Sequence, residues 1–372
     1  MVSRVALGCL SQLILFTLLL PFKAAAEEPI RLAYTQGQID NKWRARIVSF
    51  VEKDVVPLVD LLSFLPRQGS ASVIRWTKEV MDKEGVALIS FAGYWAPKGQ
   101  GDKGHSWDYS IHRVVNADPD RFVLATNKGG NKSWWTQKSG RPWDFIDQLE
   151  QQVRSGDYAL IGQIEFRHYR SNAQCKKSKT DRDIAIPLNG SSGHRVFRLS
   201  SETGIPVSIH LELEDASLDA LEEMLRSYPK AKAIISHFGQ IRHPERQRRF
   251  GPALTKRLLM TYPNLYFDLS TGEPGRFYTC GAHKLLDTVI WEDDEHGGQK
   301  NTLKPGYKSI FTQYSSRFVA GFDYGPANRH SADYLKQRID NIRRILRDLP
   351  SEAKHNIAYK NAWFLLTRKA WK

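Results

Sequence analysis

The chain contains little cysteine and, beyond its first residues, no long apolar run. Only Cys175 and Cys280 follow residue 26, which excludes a small scaffold held together by many disulfides. No later stretch approaches the ~20 consecutive apolar residues of a membrane-spanning helix, which excludes a multi-span membrane protein. Internal repeats, low-complexity tracts and an interdomain linker are also missing. We therefore expect a single domain.

The first 26 residues have the three parts of a secretory signal. Arg4 supplies a positive charge, residues 5–21 are mostly apolar, and residues 24–26 form an Ala-Ala-Ala cleavage site. We expect cleavage after Ala26, which makes residues 27–372 the mature, exported protein, periplasmic or secreted and without a membrane span. An uncleaved anchor is the alternative, because the apolar run is of marginal length for a bilayer.

Positive charge exceeds negative charge in this chain. The formal net charge of +14 becomes +12 when Arg4 and Lys23 leave with the signal. A basic exported protein favours small anionic partners over neutral ones. Nucleic acid is not expected, because the densest basic run, residues 242–249, contains a proline and no interleaved aromatic residues.

The two remaining cysteines, Cys175 and Cys280, are candidates for a disulfide. They stand 105 residues apart, and an oxidising compartment permits them to pair. Closing a loop of that length contributes roughly 4–5 kcal/mol in the chain-entropy description. Two free thiols are the alternative.

Short β-branched apolar runs alternate with amphipathic stretches, a pattern typical of parallel βαβ units. Eight runs predict strands: Arg31–Tyr34, Val86–Phe91, Arg121–Thr126, Tyr158–Glu165, Pro206–Leu211, Ala231–Ser236, Leu265–Leu269 and Arg317–Phe322. Four stretches predict helices: Leu218–Ser227, Pro252–Thr261, Tyr334–Leu349 and Glu352–Leu366. We predict an α/β fold, a single-domain (β/α)8 TIM-type barrel with long loops after its strands. A doubly wound open sheet is the alternative, although no Gly-rich phosphate fingerprint follows the first strand.

Four ionisable residues stand at the ends of predicted strands. Glu165 ends strand four, His210 strand five, His237 strand six and Asp323 strand eight. Taken singly, a strand-end histidine is more often a structural residue, and a strand-end aspartate is commonly a helix cap. Because a barrel brings all strand ends to one mouth, the four together predict an active site.

The stretches IHLE, ISHFG, NLYFDLS, GFDYG and NIAYKNAWFLL resemble the amidohydrolase superfamily, in its amidohydrolase-related branch. The resemblance implies a barrel that holds one or two divalent metals and activates water to attack a carbonyl-type centre in an amide, ester or lactone. It implies Glu165, His210 and His237 as ligands of one ion, expected to be Zn²⁺, with Asp323 as the catalytic proton acceptor. A rival assignment gives the metal to His210 and Asp323 and leaves His237 for the substrate.

The stretch YTQGQID, residues 34–40, departs from that family, whose first strand usually ends in His-x-His. If Arg31–Tyr34 is strand one, Gln36 and Gln38 occupy those positions, and their neutral amide oxygens are weak metal ligands. We therefore expect a single-metal hydrolase in which both glutamines bind water or substrate. The alternatives are a metal-free lactonase or lyase on the same barrel, and a non-catalytic exported binding protein.

Basic residues beside the strand ends favour an anionic substrate. Arg167 and His168 follow Glu165, and Arg329 follows Asp323. Arginine and histidine at such positions bind carboxylates or phosphates through charge-assisted hydrogen bonds. We predict that these three basic residues bind the substrate, and solvated loop charge is the alternative for each.

Overall fold

The computed structural model describes most of the chain, in the ranges 31–66, 70–94, 107–130, 145–281, 284–325 and 330–372. The predicted signal at residues 1–26 and the predicted substrate contact Arg329 lie outside these ranges. Within them, no helix combines the length and the apolar character needed to cross a bilayer.

Eight parallel strands form the centre of the molecule. In chain order they are β1 (Leu58–Phe64), β2 (Val86–Ala92), β3 (Phe122–Leu124), β4 (Ile161–His168), β5 (Val207–Leu211), β6 (Ala233–Ile235), β7 (Leu265–Asp268) and β8 (Phe318–Val319). One sheet contains β1 to β3 and another contains β4 to β8. The Thr126 backbone N–H donates to the Leu160 carbonyl between β3 and β4, and the Asp323 N–H donates to the Leu62 carbonyl between β8 and β1. These bonds join the sheets at both edges, so the strands form a closed barrel.

Twelve α-helices of the described ranges surround or close the barrel. They are α1 (Gln36–Val51), α2 (Ala71–Glu84), α3 (Ser110–Ala117), α4 (Phe145–Arg154), α5 (Asn172–Lys176), α6 (Ser191–Thr203), α7 (Asp215–Ser227), α8 (Pro252–Thr261), α9 (Pro305–Gln313), α10 (Ala332–Arg347), α11 (Ser351–His355) and α12 (Asn361–Thr367). A π-helical turn, Asn356–Lys360, joins the last two. The longer helices bury an apolar stripe; in α7 the stripe consists of Leu218, Leu221, Met224 and Leu225.

The predicted first strand is wrong, because residues 31–34 precede a helix and the first barrel strand lies further along the chain. Thr35 and Gln38 form a capping box that begins α1, in which the Gln38 side-chain oxygen accepts from the Thr35 N–H at 2.9 Å. The helix then buries Ile39, Trp43 and Ile47 at helical spacing. All seven residues of β1 are buried, so this strand shows no polar–apolar alternation.

Gln36 and Gln38 therefore do not end a barrel strand, which corrects the prediction made for them. Both are exposed at the start of α1. The segment before them is bonded to residues that precede β3 and β4, because the Ala33 N–H donates to Asn116 at 2.8 Å and Arg31 donates to Asp157 at 3.0 Å. The glutamines thus lie toward the amino-terminal end of the barrel, opposite the mouth.

Three long connections follow β2, β4 and β7 and surround the mouth. The first contains α3; the second contains α5 and the short strand Ile184–Ala185. The third contains two hairpins, Phe277–Tyr278 with Leu285–Leu286 and Trp291–Asp293 with Gln299–Leu303, followed by α9. A disulfide between Cys175 and Cys280, whose Cα atoms are 5.6 Å apart, joins the second connection to the third.

Candidate active site

Three buried histidines form a row at the mouth of the barrel. His168 ends β4, His210 lies in β5, and His237 follows β6. The ring centroids of His168 and His210 are 4.6 Å apart, and those of His210 and His237 are 4.7 Å apart. The sequence predicted all three residues, but their arrangement in one row depends on the barrel.

Each imidazole is fixed by an oxygen atom behind it. The Nδ1–H of His168 donates to the Arg182 carbonyl at 2.8 Å, and the Nδ1–H of His237 donates to the Ser270 carbonyl at 3.0 Å. The Nε2 atom of His210 faces a carboxylate oxygen of Glu212 at 3.4 Å. The other nitrogen of each ring therefore presents a lone pair.

Burial keeps two of these rings neutral near pH 7. It lowers the pKa of His168 to about 4, against the opposing effect of Glu165. Burial also lowers the pKa of His210 well below its ordinary value, and the adjoining His168 and His237 lower it further. Neutral rings act here as hydrogen-bond acceptors rather than as cations.

The side-chain amide of Gln163 lies between two of the histidines. Its Nε2 atom is 3.4 Å from Nδ1 of His210 and 3.2 Å from Nε2 of His237. Since an amide nitrogen carries two hydrogens, it can donate to both lone pairs at once. Gln163 was not predicted as a site residue, although the alternation of a strand puts it on the same face as Glu165.

Glu165 is engaged with two cations rather than with the histidines. Its Oε1 atom accepts from Arg182 at 2.7 Å and lies 4.0 Å from Nζ of Lys128. Burial raises the pKa of Glu165, but the neighbouring His168, Arg182 and Lys128 outweigh burial and lower the pKa to about 2. The Oε2 atom is buried and has no hydrogen-bond partner in the described part of the chain.

These side chains, as arranged, do not fit a divalent metal ion. Among the described residues, no three His, Cys, Asp or Glu side chains form a group that could hold a metal. The Gln163 amide fills the space between the two imidazole acceptors, and the Glu165 carboxylate is already neutralised by cations that would repel a dication. The last residues of β1, Leu62, Ser63 and Phe64, contribute no imidazole.

Asp323 lies at the mouth beyond β8 with its carboxylate available. The side chain is half-buried and makes no hydrogen bond or ion pair with any residue in the described ranges. Its charge acts on Lys128, Tyr94 and Arg338, which places it beside the cations of the site. Asp323 and His237 are two of the five described non-glycine residues with positive φ, at +49° and +60°. Such backbone strain clusters at functional sites.

Lys128, which follows β3, is a site residue that the sequence analysis missed. Its Nζ atom lies 4.4 Å from the centroid of the Phe64 ring and 5.2 Å from that of Tyr94. Burial lowers the pKa of its ammonium group, although Glu165 opposes the effect. A single lysine after a predicted strand does not indicate a site residue in the sequence, because Lys128 comes close to the Glu165 carboxylate only when the barrel forms.

Two buried aspartates brace the strands beneath the mouth, and both were also missed. Asp60 in β1 accepts from the backbone N–H groups of Leu62 at 3.0 Å and Phe322 at 2.7 Å. Asp268 at the end of β7 accepts from the N–H of His237 at 3.0 Å. Burial raises the pKa of Asp60 to about 7, and the charge of Asp268 adds to this effect.

A cavity of about 230 Å³ opens among the mouth loops. It is lined by Ser171, Asn172, Arg242, Glu273, Arg276, Tyr278, Tyr334, Gln337 and Arg338. Arg276 forms an ion pair with Asp287 at 2.8 Å, and Arg338 donates to the Phe322 carbonyl at 2.6 Å. Their guanidinium groups are thereby held in fixed orientations beside the cavity.

Arg167 faces protein groups instead of the mouth. It donates to Glu214 at 3.0 Å, to Asp183 at 2.8 Å and to the Ile184 carbonyl at 2.9 Å. These bonds occupy Arg167 in holding the loop after β4, which differs from the substrate contact predicted for it.

Three solved structures of low sequence identity have a fold similar to that of this chain. A 4-oxalomesaconate hydratase from Rhodopseudomonas palustris is 16% identical over 89% of this chain and 92% of its own, with a TM-score of 0.45. A probable 2-pyrone-4,6-dicarboxylic acid hydrolase from Acinetobacter baumannii, with citric acid bound, is 11% identical over 84% and 99% respectively, with a TM-score of 0.47. A mutant PTE-like lactonase from Deinococcus radiodurans is 14% identical over 84% and 94%, with a TM-score of 0.46. At these scores the similarities carry no argument about function.

The sequence itself assigns the family. No curated protein matches the chain. The Amidohydrolase family model matches residues 133–363, which is more than half of the 372 residues. That segment contains β4 to β8 and the whole histidine row. The chain therefore belongs to the amidohydrolase family.

Proposed function

We propose that this chain is an exported, metal-independent hydrolase that opens a lactone or ester of a small anionic compound. The position of the Gln163 amide supports the proposal most directly. The Gln163 Nε2 atom lies 3.4 Å from Nδ1 of His210 and 3.2 Å from Nε2 of His237. It can therefore donate to the two lone pairs that a metal ion would need. The reaction then depends on the protein's own charged and polar side chains.

Asp323 is the proposed general base. Its carboxylate has no partner among the described side chains, so it is available to a water molecule at the mouth. As the water oxygen attacks the substrate carbonyl, Asp323 takes its proton. The acyl C–O bond then breaks, and Asp323 returns the proton to the leaving alkoxide.

Lys128 and Arg182 are proposed to stabilise the negative charge that develops on the carbonyl oxygen. Both cations are already held beside Glu165, at 4.0 and 2.7 Å from its Oε1 atom, so they need little reorganisation during the reaction. The low dielectric of this buried region strengthens their effect.

The arginine-lined cavity is proposed to hold the carboxylate of the substrate. Arg338 donates to the carbonyl of Phe322, the residue before Asp323, so a ligand bound at Arg338 lies beside the proposed base. Guanidinium groups bind carboxylates through paired, charge-assisted hydrogen bonds. The 230 Å³ of the cavity suits a small organic acid.

A single-metal hydrolase is the second candidate, with Zn²⁺ on Glu165, His210 and His237. The oxygen atoms behind the two histidines favour it, because metal-binding histidines usually donate their second N–H to such an acceptor. It requires Gln163 to leave its place between the rings and Glu165 to exchange its cations for a metal.

Turnover of a substrate panel before and after chelation separates the candidates. The panel contains lactones, esters and amides of mono- and dicarboxylic acids, and the protein is dialysed against a chelator. We expect lactone or ester hydrolysis that survives chelation and gains nothing from added Zn²⁺. Activity lost on chelation and restored by Zn²⁺ would establish the second candidate. Ligand binding without turnover, even with added metals, would instead indicate an exported binding protein.

A further inference from the structure

We propose that the end of the barrel opposite the mouth docks on an anionic phospholipid surface. A groove of about 470 Å³ opens there between α10, α11 and the segment that leads into β1. We call it the basic groove; it is lined by Val56, Asp340, Arg343, Arg344, Leu346, Arg347 and Lys354. This surface takes no part in the proposed reaction.

The carboxylate in the lining of the basic groove, Asp340, does not cancel the positive charge of the groove. Lys336, outside the groove, contacts both oxygen atoms of Asp340 at 2.9 Å and so neutralises it. Arg343 is fixed by backbone oxygens, donating to the Val56 carbonyl at 2.6 Å and to the Glu84 carbonyl at 3.0 Å. Carbonyl partners orient a guanidinium group without cancelling its charge. Arg347 pairs with Asp348 at 3.3 Å, whereas Arg343, Arg344 and Lys354 form no ion pair with any residue in the described ranges. The groove therefore presents these three cations without a carboxylate partner.

An exposed apolar side chain lies beside these cations. Val55, in the segment between α1 and β1, is 36% exposed and is one of the four exposed large hydrophobic residues in the described ranges. Val55 reaches the groove: a Cβ placed on Gly85 would lie 2.7 Å from Val55 and 3.0 Å from Arg343. Cations flanking a small apolar surface match the interface of a membrane, where headgroups adjoin acyl chains.

The chain enters the described fold at this same end. Arg31 bonds to Asp157, which precedes β4, and Val56 in the groove precedes β1. Contact with a membrane here would leave the mouth, at the opposite end, open to solvent and substrate.

A phospholipid surface fits the basic groove better than other anions do. A free phosphate would fill little of the 470 Å³ and would not use the valines. A nucleic acid backbone would use the cations but would leave the apolar surface exposed. An anionic bilayer satisfies both features at once.

Co-sedimentation with vesicles tests the proposal on the protein purified after export. The probes are vesicles of phosphatidylcholine alone and vesicles with one third phosphatidylglycerol, at 0.15 M salt. The test variant is Arg344→Gln/Arg347→Gln/Lys354→Gln. Each cation near an anionic surface contributes roughly five-fold to binding, so we expect the variant to bind phosphatidylglycerol vesicles on the order of 100-fold more weakly.

A matched control removes three positive charges at the mouth end. Arg246→Gln/Arg248→Gln/Arg249→Gln changes the net charge equally, in the loop after β6. We expect this control to bind the anionic vesicles like the unaltered protein. Equal losses in the two variants would show that net charge alone acts and would overturn the proposal. Equal binding to neutral and anionic vesicles, or binding to neither, would overturn it as well.

Discussion

Asp323 combines a strained backbone with a carboxylate that has no hydrogen-bond or ion-pair partner in the described part of the chain, so its role can be tested by a single substitution. We predict that Asp323→Asn lowers kcat by about 10²- to 10⁴-fold, because the amide cannot accept the proton of the attacking water. Asn adopts the left-handed backbone region readily, so the melting temperature should hold. Steady-state kinetics and thermal unfolding measure both effects. Asp181→Asn, at an exposed position, is the matched control, and an unchanged kcat for Asp323→Asn would rule out the proposed base.

Gln163 decides whether the histidine row can bind a metal. Gln163→Glu would put a carboxylate beside Nδ1 of His210 and Nε2 of His237, in place of the amide hydrogens that now occupy them. Three such groups are the usual number of protein ligands in an open zinc site. We predict that this variant binds about one equivalent of Zn²⁺ in calorimetric titration, while Gln163→Met binds none. Failure of Gln163→Glu to bind zinc would show that the two rings are not oriented as described.

Asp60 gives a pH dependence whose sign follows from its burial. The pKa of its carboxyl rises from the ordinary 3.8 to about 7 in the folded protein. Between those values the unfolded chain releases the proton and the folded protein retains it, so this residue makes stability fall as pH rises. The effect is on the order of 4 kcal/mol across the range. We predict that urea unfolding of Asp60→Asn lacks this decline, so the curve of the unaltered protein falls relative to it from about pH 4 to pH 7; parallel curves would contradict the burial argument.

At the scale of elements, the disulfide joins the loops that form the arginine-lined cavity. Asn172 and Tyr278, which line this cavity, lie close in sequence to Cys175 and Cys280 respectively, and Asn172 also donates to the Phe277 carbonyl at 2.8 Å. We predict that Cys175→Ser/Cys280→Ser loses roughly 4–5 kcal/mol of unfolding free energy, because the bond closes a long loop. The looser cavity should also raise KM more than it lowers kcat. Unfolding and kinetics of the unaltered protein in reductant provide the control, and stability unaffected by both treatments would contradict the prediction.

The sequence predicted best those helices and strands whose apolar residues recur at a regular spacing and whose ends are marked by a specific residue. The helix Pro252–Thr261 was predicted with its observed bounds, because proline marks its first turn and its apolar residues recur at helical spacing. Seven of the eight barrel strands were also predicted, each as a short run rich in β-branched or aromatic residues. The first strand was missed because Leu58–Phe64 is leucine-rich and buried on both faces, so that it lacks the alternation of a half-buried strand.

The sequence predicted several residues of the candidate site, but it did not predict the side chains that contact them. His210, His237 and Asp323 end strands, and strand ends meet wherever a barrel closes. The contacts of Gln163 and Lys128 depend on side-chain directions across neighbouring strands, which no local pattern carries. Those contacts are the basis for proposing a metal-independent site, whereas the sequence predicted a single-metal site.

At the scale of the whole molecule, the barrel separates two kinds of surface. The mouth contains the histidine row, Asp323 and the arginine-lined cavity, whereas the opposite end presents the basic groove and the entry of the chain. Cations occur at both ends, in keeping with the net charge of +14. At the mouth, however, Arg242 and Arg276 are balanced by Asp287 and Glu212, which orient them for a small ligand.

We propose that the mouth works without a metal ion, and the metal content of the purified protein tests this proposal. The unaltered protein and His210→Ala/His237→Ala are purified without chelators, incubated with excess Zn²⁺, desalted and compared by elemental analysis. We predict background metal in both, because the Gln163 amide occupies the ring nitrogens and Glu165 is paired with Arg182. About one equivalent of metal in the unaltered protein, lost in the double variant, would rule out a metal-independent mouth and establish a single-metal hydrolase.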